Sequence, residues 1–189
     1  MTETHPNECD YMRQCKLYDT SAPYLLEDMY SCNKKTMTFN STIDSERRVE
    51  ILKTILKQCG ENVTFIPPFY CDYGKYIEIG DYTTAGPNFT ILDGNIVTIG
   101  KHVIIESNVT IMATSHPTDP MIRKAYYLYS LPIVVNDNVL IESNSVILPG
   151  IVIGKNSVIK AGSVVTKNVP ENTIVEGNPA IEVGKIRIE

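Results

Sequence analysis

Histidine and cysteine have the widest chemical range of any side chains, and this 189-residue sequence holds only three of the first and five of the second. His5 falls in a polar N-terminal stretch expected to be disordered, and His102 takes the fourth place of IGKHVI, a surface position. His116 is different, because it closes IMATSH and opens directly onto Pro117 and a long patternless segment. A neutral imidazole at such an entrance can take the proton from a weak nucleophile near neutral pH, provided it reaches the reacting group. The plainer reading, a histidine satisfied inside the fold, weighs evenly against that role on this residue alone. Cys9, Cys15, Cys32, Cys59 and Cys71 are odd in number and lack CxxC spacing. They read as reduced thiols rather than as a disulfide frame, a zinc site or a catalytic nucleophile, and no metal requirement is expected.

Whatever His116 does, a repeat must position it. Reading in sixes from Ile99 gives IGKHVI, IESNVT and IMATSH, then, three hexads further on, VNDNVL, IESNSV, ILPGIV, IGKNSV, IKAGSV and VTKNVP. The first place is aliphatic throughout, and the fifth is Ser or Val everywhere but Ile151. A helix needs a beat of 3.6 and an ordinary strand a beat of 2, so a beat of six fits neither. It predicts a parallel β-helix, in which each hexad makes one flat face and three faces make a coil. The prism is expected from about residue 62 to 180, without a continuous helix. Ile105, Ile141, Ile147, Ile153 and Ile159 should lie inside it, and Lys101, Asn138 and Lys155 should face water. Pro117–Pro132 interrupts the repeat without shifting its phase, and its four consecutive aromatic or aliphatic residues, Tyr126 to Tyr129, suit a functional loop.

Two helices are expected ahead of the prism. Ser21 is placed as the cap of one over about Pro23–Ser31. Asp44 or Ser45 is placed as the cap of another that carries Val49, Leu52, Leu56 and Cys59 on one stripe and ends at Gly60. That stripe is expected to pack on the prism or close its open end. Pro170 and the GNP at 177–179 are expected to end the repeat. A hydrophobic content of 43% is ample for a core, while a net charge of −5 with no Lys/Arg run argues against a nucleic-acid partner. No apolar stretch approaches 18 residues and no signal peptide opens the chain, so a cytoplasmic location without a membrane is expected.

PPFYCDYG (67–74), ILDG (91–94), SHP (115–117) followed by Arg123, LPGIVIG (148–154), AGSVVTK (161–167) and GNPA (177–180) together resemble the galactoside/maltose O-acetyltransferases. These are hexapeptide-repeat acyltransferases, and the likeness runs from the helical segment before Gly60 to about Gly184. The resemblance implies a mainly β fold, a left-handed parallel β-helix over 61–183 with its protruding loop at 117–132. Ahead of it comes a maltose-acetyltransferase-like helical segment over 1–60. It implies acetyl transfer from acetyl-CoA to a hydroxyl of a sugar acceptor, in a homotrimer with sites between subunits. His116 matches the general base. Asp72 matches an acceptor contact, with Asp93 a second and Asp19 a third, and Arg123 is grouped with them. Carboxylates accept hydrogen bonds from neighbouring hydroxyls, although each of the three could instead cap a turn. Ser143, Ala161, Thr166 and Lys167 match positions along the coenzyme path, the first three through backbone and Lys167 through charge on phosphates. Backbone N–H groups near Ser143 would hold the tetrahedral oxyanion.

The sequence also departs from the family. Gly86 replaces an Asn that helps stabilise the transition state, Leu140 replaces a Trp, and Ile181 and Gly184 replace arginines at the 3′-phosphate, with Lys185 or Arg187 as nearest substitutes. Two alternatives therefore stand beside sugar O-acetylation: a same-fold acyltransferase for a non-sugar or amino-sugar acceptor, and a trimer that binds without catalysing. A zinc-dependent carbonic anhydrase of this architecture needs three converging histidines, and the repeat holds only His102 and His116.

Overall fold

A computed structural model describes residues 7–187; His5 lies outside the described residues. The hexads stack as three parallel sheets around one apolar core. The first face holds Gln58–Cys59, Ile77–Ile79, Val97–Ile99, Ile133–Val135 and Val152–Ile153. The second runs from Thr64–Phe65 through Ile104–Ile105 and Leu140–Ile141 to Thr173–Gly177, and the third from Phe69–Cys71 through Thr110–Met112 to Val164–Val165. First-place residues are register partners: Ile105 with Ile141, Ile141 with Ile159, Ile111 with Ile147, and Val135 with Ile153. Ile105, Ile141, Ile147, Ile153 and Ile159 are buried, and Lys101, Asn138 and Lys155 are exposed.

The fourth place of the hexad makes the corner. His102, Asn108, Asn138, Asn144, Gly150, Asn156 and Gly162 all have positive φ there. Asn and Gly tolerate that conformation best, because Asn can bond locally and Gly has no Cβ. Asn side chains then bridge successive coils, Asn88 to Asn108 to Asn144 along one corner and Asn138 to Asn156 to Asn172 along another. The fifth place turns inward beneath the corner, which is why Val103, Val109, Val139, Ser145, Ser157 and Ser163 are all buried.

Several boundaries differ from expectation. The first strand of the prism begins at Gln58, because the helix over Ser45–Ile55 stops at Leu56. Leu56 and Cys59 are thus a helix cap and a strand residue, and the buried face of that helix is Ile51, Leu52 and Ile55. Asp44 does cap it, accepting the Arg47 N–H at 2.7 Å. The preceding helix runs over Pro23–Ser41, well past Ser31, since Cys32, Thr36 and Phe39 prolong the buried stripe begun by Leu25. Ser21 does not cap it; its N–H and hydroxyl go to Asp19 Oδ1, and Ala22 takes the cap position. Phe39 of this helix packs edge-on against Phe69, and Ile51, Leu52 and Ile55 join the same core, so the helices close the N-terminal end of the prism. At the other end Thr173–Gly177 folds back antiparallel onto Ala180–Lys185, so the GNP is the turn of a terminal hairpin.

The segment over 117–132 is not patternless in space. The chain leaves the prism after Ala113. Thr114–Ser115 pairs antiparallel with Tyr127–Ser130, which in turn pairs with Tyr18–Asp19 from the N-terminal segment. A short helix, Pro120–Lys124, lies at the tip. Ser115 therefore belongs to this outer sheet and not to a prism corner.

Candidate active site

Asp72, Asp93 and Thr114 lie on successive coils at the corner beyond the third face, each one register place further along, since Cys71 pairs with Ile91 and Ile91 with Ile111. Asp93 is fully buried, and its Oδ1 accepts the N–H groups of Asp72 and Tyr73 at 2.9 Å each. Its Oδ2 is buried and has no hydrogen-bond partner among the described residues. Burial, and secondarily the charge of Asp72, pushes the Asp93 carboxyl up to about 7, against the two amides that favour its ionised form. Burial alone pushes Asp72 up to about 6. Tyr18 comes in from the outer sheet, and burial raises its hydroxyl to about 12 although Thr114 acts in the opposite sense. A cavity of about 230 Å³ opens here, lined by Tyr18, Thr20, Leu26, Asp72, Tyr73 and Thr114 among others. Its lining combines hydroxyls and one carboxylate with the apolar side chains of Leu26, Met29 and Leu128.

His116 lies two residues beyond Thr114, exposed, at the root of the outer sheet. Its ring makes no hydrogen bond among the described residues. Pro117 beside it is buried, and Arg123 Nη1 donates to the carbonyls of Pro117 and Thr118 at 3.1 and 3.2 Å, which ties the loop to its own root. Asp19 accepts the N–H and hydroxyl of Ser21 at 2.8 and 2.7 Å, and these bonds hold its carboxyl below the usual carboxylate range. In this chain by itself Asp19, Arg123 and Asp93 are thus all engaged in holding turns, and Asp72 is the carboxylate that lines the cavity.

Ser143 and Ala161 stand on another corner, one coil apart, joined through the Gly162 N–H to the Ser143 carbonyl. Both backbone donors are occupied by glutamates from the coil above. Glu106 Oε2 accepts from Ser143 N at 2.9 Å and Ser143 Oγ at 2.7 Å, and Glu142 Oε2 accepts from Ala161 N at 3.0 Å. Gly86 shares this corner, where a Cβ would come within 2.9 Å of the Ser107 nitrogen. Putting the family's Asn at 86 therefore requires the backbone to shift, and the loss of a donor is not the whole meaning of that glycine. Thr166 and Lys167 line a separate cleft of about 250 Å³ against Pro179, Ala180, Ile181 and Glu182. Lys167 makes no ion pair among the described residues, whereas Lys185 is held by Thr173 and Glu182.

One chain thus holds Asp72 and Asp93 at one corner, with His116 on the outer sheet that leaves the prism there, and Gly86, Ser143 and Ala161 at the next, with the third face between them. Sequence reasoning missed Tyr18, Thr114 and Glu106. Only the last left a signal, since IESN occurs twice in register, at 105–108 and 141–144.

Comparison with known proteins adds four findings. Residues 132–167 match the model of the bacterial transferase hexapeptide, six repeats. The galactoside O-acetyltransferase of Escherichia coli K12 is 44% identical over 141 residues, 75% of this chain and 70% of that protein. Among solved structures, a maltose O-acetyltransferase from Clostridium difficile 630 superposes with a TM-score of 0.94 at 34% identity, covering 98% of this chain and 100% of its own. A galactoside acetyltransferase in complex with coenzyme A gives 0.92 at 37%, covering 97% and 92%.

Proposed function

The chain belongs to the galactoside and maltose O-acetyltransferases, left-handed β-helix enzymes that depend on acetyl-CoA, and from that premise we propose that its acceptor is a sugar and its base His116. The observation that carries this reading is the mixed cavity at Thr114, two residues before His116 in the chain, with the hydroxyls of Tyr18, Thr20 and Thr114 and the carboxylate of Asp72. A sugar presents both hydroxyls and a C–H face, and such a lining pairs with each. The acceptor hydroxyl gives its proton to His116 as its oxygen attacks the thioester carbonyl. The resulting oxyanion takes an N–H near Ser143. Collapse breaks the C–S bond, and the proton on His116 passes to the departing coenzyme thiolate, leaving the acetyl ester and CoA. Ala161, Thr166 and Lys167 line the coenzyme's path, Lys167 meeting its phosphates.

The segment over 1–60 supplies Tyr18 and Asp19 to the acceptor side, and the prism over 61–183 supplies the rest. Asp93 and Arg123 serve the acceptor by holding Asp72 and the loop root in place. Because His116 and Ser143 occupy different corners of one chain, the reaction needs a second copy, and a homotrimer closes that arrangement by rotation. An acceptor panel with acetyl-CoA and thiol detection tests the reading. Galactosides, glucosides and maltose should release CoA faster than amino sugars or amino acids, and a preference for the amines would replace the sugar with a nitrogen acceptor.

A further inference from the structure

The carboxylate of Glu106 holds both donors of Ser143, the N–H and the hydroxyl, through a single oxygen. One coil on, Glu142 makes the equivalent contact to Ala161, but there the Lys160 ammonium shares the carboxylate at 2.6 Å and offsets its charge. Glu106 has no such cation, since among the described residues it forms no ion pair and Lys160 is committed to Glu142. In the single chain Glu106 is exposed, and its side chain has room to turn away from Ser143.

We propose that Glu106 is a latch on the oxyanion donor, occupying the Ser143 N–H in the resting chain and leaving it when acetyl-CoA arrives. This rests on the reading that Ser143 N–H receives the thioester oxygen. A carboxylate at that N–H opposes catalysis twice. It competes for the hydrogen bond, and it places negative charge where negative charge develops in the transition state. Its effect must fall on acetyl-CoA and not on CoA, because only the thioester has a carbonyl oxygen that wants the same N–H.

That difference gives the test. Affinities of acetyl-CoA and CoA are measured by calorimetry without acceptor, on the full-length protein and on Glu106→Gln and Glu106→Ala. Glu106→Ala should bind acetyl-CoA about tenfold more tightly and CoA unchanged, the amount one charge-assisted hydrogen bond can shift. Glu106→Gln should fall between, because its amide oxygen still accepts the N–H but carries no charge. A merely structural Glu106 would lower thermal stability and move both ligands alike, and an equal or absent shift overturns the latch. If the affinity ratio shifts but no sugar is acetylated, the latch stands and the acceptor reading fails. A protein that binds neither ligand removes the donor reading and the latch with it.

Discussion

At the scale of single residues, exposure separates the two readings of His116. An exposed ring without an internal hydrogen bond contributes little to folding, so His116→Ala should change stability by no more than about 0.5 kcal/mol. Turnover should fall at least ~10²-fold as a general base is lost, with CoA binding kept. Loss of stability with unchanged activity per folded molecule would return His116 to a structural role. The buried pair Asp72 and Asp93 makes a different claim. Both are raised above the ordinary carboxylate value of 3.8, to about 6 and about 7, so between about pH 4 and pH 7 this pair binds more protons in the folded chain than in the unfolded one. Stability from this pair is therefore greatest at the acid end of that window and falls as pH rises through it. Carboxylates that are lowered, such as Asp19 and Glu142, act in the opposite sense, so total stability is no guide. The difference between the parent and Asp93→Asn isolates the effect, since the amide keeps an acceptor for the Asp72 and Tyr73 N–H groups and cannot ionise. Urea unfolding should show the variant gaining on the parent as pH rises from about 4 to 7. A gap independent of pH would mean that Asp93 does not change its charge there.

At the scale of elements, the corners carry information that the hexad's aliphatic first place does not. Asn108 sits at φ +60° and bridges Asn88 to Asn144, so Asn108→Ala loses both ladder bonds and leaves a Cβ in the left-handed region without the local bonding that makes Asn tolerable there. It should cost roughly 1–2 kcal/mol in urea unfolding, and Asn108→Gly, free of the steric part, should cost less. Alanine tolerated as well as glycine would show that the ladder bonds and not the backbone set the price. The same geometry explains what the sequence made legible. From Ile99 onward most coils are built of clean hexads, as from Ile141 to Ile159, and the register of the core could be read directly. Earlier, Cys59, Ile79 and Ile99 are partners twenty residues apart, so two extra residues per coil hide the beat of six. The helix over Pro23–Ser41 outruns the expected Pro23–Ser31 because Cys32 and Thr36 do not look like core residues until the helix over Ser45–Ile55 and the strand Phe69–Cys71 pack against it. At the site, Asp72 and His116 could be named from local motifs. Tyr18 and Thr114 could not, because nothing local joins a tyrosine near the N-terminus to a threonine 96 positions later.

At the scale of the whole molecule, the unresolved demand of a single chain is the distance between its two half-sites. His116 leaves from the corner after the third face, while Ser143 and Ala161 stand at the corner before it, and a face of five extended residues spans up to about 17 Å. No side-chain rotation closes such a gap, so the proposed reaction requires that one subunit's His116 meet another's Ser143. Sedimentation should find a trimer at micromolar concentration. Mixing tests the division of labour more directly. Ala161 is exposed, so Ala161→Trp should fold normally yet block the coenzyme path, and His116→Ala removes the base. Each variant alone should be inactive. Unfolded together in equal amounts and refolded, they should recover about a quarter of the parent's activity, because that share of subunit contacts joins an intact His116 to an intact 161 corner. If both halves of the site belonged to the same chain, every chain would carry a defect and mixing would restore nothing.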